Sequence, residues 1–163
     1  MKVLEQEVET QILQGVSIKH SLQEDNKYRI TEKIMKQFIT NGYNKVYVVQ
    51  QYPDNFIQSS EVISFIGVES DDSKQCDLIN QEIELPMTSY VSTTFEPSKT
   101  DIDHAYQTVY QELVKQKINV LSNYDVELVD HNNNMTNIMI PKEEKHIQNT
   151  NYFTFEEYLE LNW

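Results

Sequence analysis

Glu127 stands in Asp125-Val126-Glu127-Leu128-Val129, a segment that otherwise reads as a β-strand with apolar neighbours. Side chains alternate along a strand, so Val126 and Leu128 share one face while Asp125, Glu127 and Val129 share the other. If that face is open to water, Glu127 is an ordinary solvated acid. If another part of the chain closes over it, the carboxylate becomes the floor of a pocket, where it is costly until a cation arrives. Aromatic rings supply the other half of such chemistry, since each ring face attracts a cation by roughly 0.5 to 2 kcal/mol. The chain has ten tyrosines and six phenylalanines, and Tyr47, Phe65, Tyr90, Phe95, Tyr106 and Tyr110 fall on expected strands or on the second expected helix. Most of these rings belong to a core. Those that meet a buried carboxylate would select lipophilic cations.

Other reactive patterns are missing from the sequence. With only Gly15, Gly42 and Gly67 there is neither a phosphate-cradling loop nor a dinucleotide fingerprint. His20, His104, His131 and His146 lie far apart, and Glu69-Ser70-Asp71-Asp72 lacks the glycine and terminal glutamate of a calcium loop, so neither a metal nor a cofactor is expected. Cys76 has no histidine near it in sequence and no glycine-flanked serine elbow occurs, which leaves no visible nucleophile for covalent catalysis. A binding protein fits better than an enzyme.

The elements that must position Glu127 follow from periodicity. Thr10 to Ile18 reads as a strand in which Gly15 marks a bulge or a close backbone approach. Ile30, Ile34 and Phe38 recur at helical spacing, and Gly42 stands where a left-handed cap would end that helix. Lys45–Gln50 and Glu61–Val68 read as strands, joined through Tyr52-Pro53-Asp54-Asn55. After the polar stretch Ser70–Gln75 the order returns. Gln81–Leu85 and Ser89–Phe95 flank Pro86, and Thr100 with Asp103 resembles a capping box. The stripe Ile102, Ala105, Tyr106, Val109 and Leu113 then predicts a helix to Lys117. Tyr124–Val129 and Thr136–Ile140 close the second unit across the turn-prone Asp130–Asn134. The expected fold is therefore α+β. It is a tandem strand-helix-strand-strand pseudo-repeat, at about 8–70 and 76–142, with antiparallel sheets and a groove between the halves. One domain over 1–145 would carry both units. A tail over 146–163 would add a short helix, capped by Thr154 and Glu157, whose Tyr152, Phe153, Phe155 and Trp163 dock on the body.

Thirteen basic against 26 acidic residues give a net charge of −13, which disfavours phosphate backbones and anionic lipid and favours cationic or neutral partners. Direct nucleic-acid or membrane binding is not expected. A single cysteine, the lack of an apolar leader and the lack of a membrane-length apolar run point to the cytoplasm. In that compartment the glycosylation-like Asn134-Met135-Thr136 is accidental.

The second unit resembles the GyrI-like, or AraC-type, bacterial effector-binding domain. The resemblance rests on Ile83-Glu84-Leu85-Pro86, Tyr90-Val91, Asp101-Ile102, Ala105-Tyr106 to Tyr110, Tyr124-Asp125-Val126-Glu127 and Ile138-Met139-Ile140-Pro141, with Gly15-Val16 and Phe65-Ile66-Gly67-Val68 matching more loosely. It implies two such units about a pseudo-twofold axis, with Glu127 contacting cationic or polar ligands in the groove between them. It also implies the drug-sensing role of multidrug-responsive transcription regulators, here without the DNA-binding helix-turn-helix, since nothing before Thr10 has room for one. By alternation, Val129 and Met139 are expected to line the groove beside Glu127, with Phe65 the counterpart of Met139, and with Tyr47, Tyr90 and Tyr110 as further ligand-binding rings. The sequence departs from the family in Pro86-Met87-Thr88-Ser89-Tyr90, where a glycine is usual, and in lacking the tryptophan of the helix or last strand.

Three functions follow from this reading. The first is a stand-alone protein that binds aromatic or cationic small molecules. A second is a hydrolase of strained electrophilic rings, in which Glu127 and a tyrosine handle a water and a proton. A third is an acidic inhibitor of the DNA gyrase type, which would hold a basic protein partner.

Overall fold

A computed structural model describes residues 1–70 and 76–161. The acidic pair Asp71-Asp72, the rest of the polar linker to Gln75, and Trp163 lie outside the described residues. In chain order the strands are β1 (Val3–Val8), β2 (Gln11–Ser21), β3 (Lys45–Gln51), β4 (Glu61–Glu69), β5 (Gln81–Leu85), β6 (Thr88–Phe95), β7 (Tyr124–Asp130) and β8 (Met135–Pro141). The helices are α1 (Leu22–Tyr28), α2 (Ile30–Thr40), α3 (Phe56–Ser59), α4 (Ile102–Lys115) and α5 (Phe155–Glu160). All eight strands join one antiparallel sheet in the order β1-β6-β8-β7-β3-β4-β2-β5. The fold is α+β, as the pattern predicts, and the two halves meet where β3 pairs with β7.

The repeat is longer than its sequence pattern. Reading the strand order from both ends pairs β1 with β5, β6 with β2, β8 with β4 and β7 with β3, so each unit is strand-strand-helix-strand-strand. The leading strand of each unit joins the other half: β1 pairs with β6, and β5 pairs with β2. This exchange forces the sheet to curl. Only Glu9 and Thr10 separate β1 from β2, a span of about 11 Å at most, whereas the two strands stand six places apart, about 29 Å in a flat sheet. The short link Pro86-Met87 between β5 and β6 imposes the same condition at the other side. The resulting half-barrel has a concave and a convex face.

Each face has its own core. Leu13, Tyr47, Phe65, Tyr90, Tyr124, Val126 and Met139 fill the concave side, where the Tyr90 and Tyr124 hydroxyls meet at 3.0 Å. On the convex side Ile30, Ile34 and Phe38 of α2 pack on Val16, Val48 and Ile66, and Ala105, Val109 and Leu113 of α4 pack on Val91, Ile138 and Ile140. Each wholly buried side chain of this size contributes roughly 1.5 to 3 kcal/mol. The helix ends follow local chemistry. Gly42 takes φ 96° after α2, where its N–H bonds to the Ile39 carbonyl. The cap of α4 is Asp101 rather than Thr100, because its carboxylate accepts from the Asp103 N–H at 3.1 Å.

The tail wraps the edge of β2. Ile147 enters the concave core, Phe153 bonds to the backbone of Ser17 and Lys19 beyond the end of β5, and Tyr158 enters the convex core under the Thr154–Glu157 capping box.

Gly15 and Gly67 lie directly opposite one another in an unbroken β2–β4 register, so the glycine marks a close approach and not a bulge. A Cβ on Gly15 would collide with the Ile66 carbonyl, and one on Gly67 would lie 2.6 Å from the Phe65 ring. Alanine at Gly15 should cost about 1 to 3 kcal/mol through this overpacking, read as a lower midpoint in urea unfolding; an unchanged midpoint would contradict the packing described.

Candidate functional site

Register decides which way Glu127 points. It sits opposite Val48 of β3 and Ile138 of β8, and these belong to the cores under α2 and α4 respectively. Cross-strand neighbours share a face, so Glu127 faces the helices and not the concave core. The helices lie mainly to either side of it: α2 lies on β3 and β4, and α4 on β6, β8 and β1. Strand β7 therefore forms the floor of a groove between the two halves, with Asp125, Glu127 and Val129 pointing into it and Gln50 beside Asp125.

Tyrosines from both sides converge on this floor. The Tyr106 hydroxyl, from α4, donates to Glu127 Oε1 at 2.6 Å and reaches Asp125 Oδ1 at 3.5 Å. The Tyr52 hydroxyl, from the segment after β3, donates to Asp125 Oδ2 at 2.6 Å and lies 3.1 Å from Gln50 Oε1. Tyr106 stacks on Tyr110 with centroids 6.5 Å apart and planes at 25°, while Tyr52 meets Phe56 edge to face at 5.0 Å. Tyr110 remains 41% exposed and, with Gln107, Gln111 and Val114, lines a shallow depression on α4, so one ring of the set is accessible from outside.

The electrostatics of the pair are unbalanced. Asp125 is 2% exposed and Glu127 is half-buried. Among the described residues no ion pair includes either of them. Burial pushes the Asp125 carboxyl up to about 7, against the hydrogen bond from Tyr52, and the neighbouring Glu127 charge raises it further. Burial also raises Glu127, with the Tyr106 hydroxyl opposing the rise and Asp25 of α1 adding to it. The Tyr52 and Tyr106 hydroxyls are raised far beyond the normal range, first by burial and then by Asp125, so both stay protonated donors. Tyr110 is pushed up to about 12 by burial and by Asp125.

The residues expected to line one groove divide between the two faces. Glu127, Val129 and Tyr110 belong to the groove side. Tyr47, Phe65, Tyr90 and Met139 belong to the concave core, because Tyr47 lies opposite Leu128 and Met139 opposite Val126, one position out of step with Glu127. Met139 and Phe65 therefore do not stand beside Glu127, and the hydroxyl of Tyr47 is bound instead to Gln11 and Glu69. Three groove residues escaped the reading of the sequence as site residues. Asp125 is signalled by its two-residue spacing from Glu127, and Tyr106 by its four-residue spacing from Tyr110. Tyr52 lies in a turn, and nothing in the sequence aims it at Asp125.

No protein-family model matches the sequence, and no curated protein matches it. Solved structures do. SAV2435, in a structure bound to tetraphenylphosphonium, superposes with a TM-score of 0.64 at 14% identity, over 88% of this chain and 94% of that one. An integron cassette protein from Vibrio cholerae gives 0.62 at 15%, over 86% and 95%. The C-terminal domain of EcmrR gives 0.54 at 17%, over 88% and 98%. The chain shares their fold. At these identities the likeness is one of architecture, over 86 to 88% of this chain.

A carboxyl raised from 3.8 to about 7 by folding holds its proton more tightly in the native state. Its contribution to stability is complete below about pH 4 and is lost as pH rises through about 7. Asp125→Asn, which keeps the group neutral, should therefore unfold at a higher temperature than wild type at about pH 8, with the gap closing toward about pH 4. A gap that is constant with pH would contradict a raised Asp125.

Proposed function

We propose that the protein binds lipophilic cationic small molecules in the groove over β7. Glu127 supplies the charge, and Tyr106, Tyr110 and Tyr52 supply hydroxyls and ring faces. The observation that carries this reading is a pair of carboxyl groups on one face of β7, ringed by tyrosines and facing no cation among the described residues. Such a pair destabilises the empty protein, and a bound cation relieves that cost. A large aromatic cation also gains from leaving water, which a small inorganic ion does not. The tetraphenylphosphonium bound by SAV2435, a protein of the same fold, supports this class of ligand. The chain would then act as a sensing or sequestering module, in the manner of an effector-binding domain.

Tetraphenylphosphonium at about 100 times its Kd should stabilise the protein by about 2.7 kcal/mol, a rise in Tm of roughly 5 to 10 °C for a chain of this size. Glu127→Gln should weaken binding by about tenfold or more, since a charge-assisted contact is worth about 1.5 to 3 kcal/mol. Tyr110→Ala should cost a few-fold through the lost ring. Equal stabilisation of wild type and Glu127→Gln across a panel of lipophilic cations would remove Glu127 from the site.

A further inference from the structure

Two carboxyl groups two residues apart on one buried face, with no cation beside them, carry one charge between them far more cheaply than two. Burial distinguishes the partners, because each has one short tyrosine donor: the Tyr106 hydroxyl donates to Glu127 at 2.6 Å and the Tyr52 hydroxyl donates to Asp125 at 2.6 Å. Glu127 is half-buried and keeps access to water, whereas Asp125 is 2% exposed, so the charge is held more cheaply on Glu127.

The surroundings of Tyr52 point the same way. Its hydroxyl has one hydrogen and lies within reach of two acceptors, Asp125 Oδ2 at 2.6 Å and Gln50 Oε1 at 3.1 Å. With Asp125 ionised, that hydrogen is drawn to the carboxylate and Gln50 Oε1 loses this donor. With a proton on Asp125 Oδ2, the acid donates to the Tyr52 oxygen and the tyrosine hydrogen turns to Gln50. Every member of the row then has a partner, which is the favoured state for buried polar groups.

We propose that Asp125 is the proton-holding partner of Glu127, and that a monovalent lipophilic cation entering the groove expels that proton, so ligand and proton compete for the same carboxyl. The inference rests on the groove reading of Glu127 given above and adds to it a second, proton-gated carboxylate that sets how much positive charge the groove accepts. The step balances: the O–H bond of Asp125 breaks, the proton passes to the buffer, and the electron pair stays on the carboxylate facing the cation. The raised Asp125 carboxyl agrees with this order of events.

The other groups around Asp125 do not take over its role. Glu127 on β7 and Asp25 on α1 are acids that disfavour a further negative charge, and Asp25 is itself held by the N–H and hydroxyl of Thr31. Tyr106 and Tyr110 from α4 and Tyr52 after β3 stay protonated. From α2 the buried contacts are Ile30, Ile34 and Phe38, and from β8 they are Ile138 and Ile140. His20, on the same sheet face but three strands away on β2, is bound to Ser64 and to the Ser21 carbonyl.

Titration calorimetry with tetraphenylphosphonium, in buffers of different ionisation enthalpy, counts the protons released. Wild type should release close to one proton per ligand at about pH 6 and few at about pH 8, with affinity about tenfold weaker per pH unit below about 7. Asp125→Asn should release none and bind with flat affinity over that range. In case that variant does not fold, NMR of wild type labelled at aspartate carboxyl carbons supplies the second measurement: one aspartate should titrate near neutrality in the free protein and at lower pH in the complex. Glu127-dependent binding that is flat in pH and releases no proton would overturn this proposal alone. The same holds if Asp125→Asn still releases the proton, or if no aspartate titrates near neutrality. Failure of tetraphenylphosphonium to bind at any pH would overturn the groove reading and this one with it.

Discussion

The antiparallel pairing of β3 with β7 is the interaction on which the rest of the molecule depends. It is the one seam between the two halves in the middle of the sheet, and its register of Val48 against Glu127 fixes the direction of every side chain on both strands. A shift of one residue would carry Asp125 and Glu127 into the concave core among Tyr47, Tyr90 and Met139, and would bring Tyr124, Val126 and Leu128 up under the helices. The exchange of β1 and β5 between the halves guards against such a slip, because each leading strand is tied by a short link to a strand at the far side of the sheet.

Curling assigns different work to the two faces. The concave face closes on itself and takes Ile147 of the tail, so its aromatic rings serve packing and a few internal hydrogen bonds. The convex face is covered by two helices with a gap between them, and an acid can be held there with tyrosine donors while one ring stays open to solvent. The tail strengthens this division by passing from one face to the other around the edge of β2. Among the described residues, no helix is long and apolar enough to cross a membrane.

Much of this was legible in the sequence where a single element carries its own pattern. The strand at Glu127, the stripe of α4, the left-handed Gly42 and the Thr154–Glu157 box depend on residues within a few positions of one another, and each stands where its pattern places it. What could not be read depends on pairing between distant segments. Strand β1 lies at an edge, and Val3, Leu4 and Val8 do not alternate with its polar residues, so little in Val3–Val8 marks it until β6 is beside it. Met139 was expected next to Glu127 because alternation gives the faces of one strand but not the register of its neighbour. That register is set by the turn over Asp130–Met135, where Asn134 takes φ 51°. Asp125 lay in plain view two residues from Glu127. Its significance comes from Tyr52, which a turn delivers from the other half.

The proposed ligand site lies on the helix side of β7. A crystal structure of the complex with tetraphenylphosphonium tests it most directly. The phosphonium is expected between α2 and α4, with its charge on Glu127 and a phenyl group against Tyr110 or Tyr106, the cation within about 6 Å of a ring centroid. A ligand found instead in the concave core, among Tyr47, Phe65, Tyr90 and Met139, would contradict it.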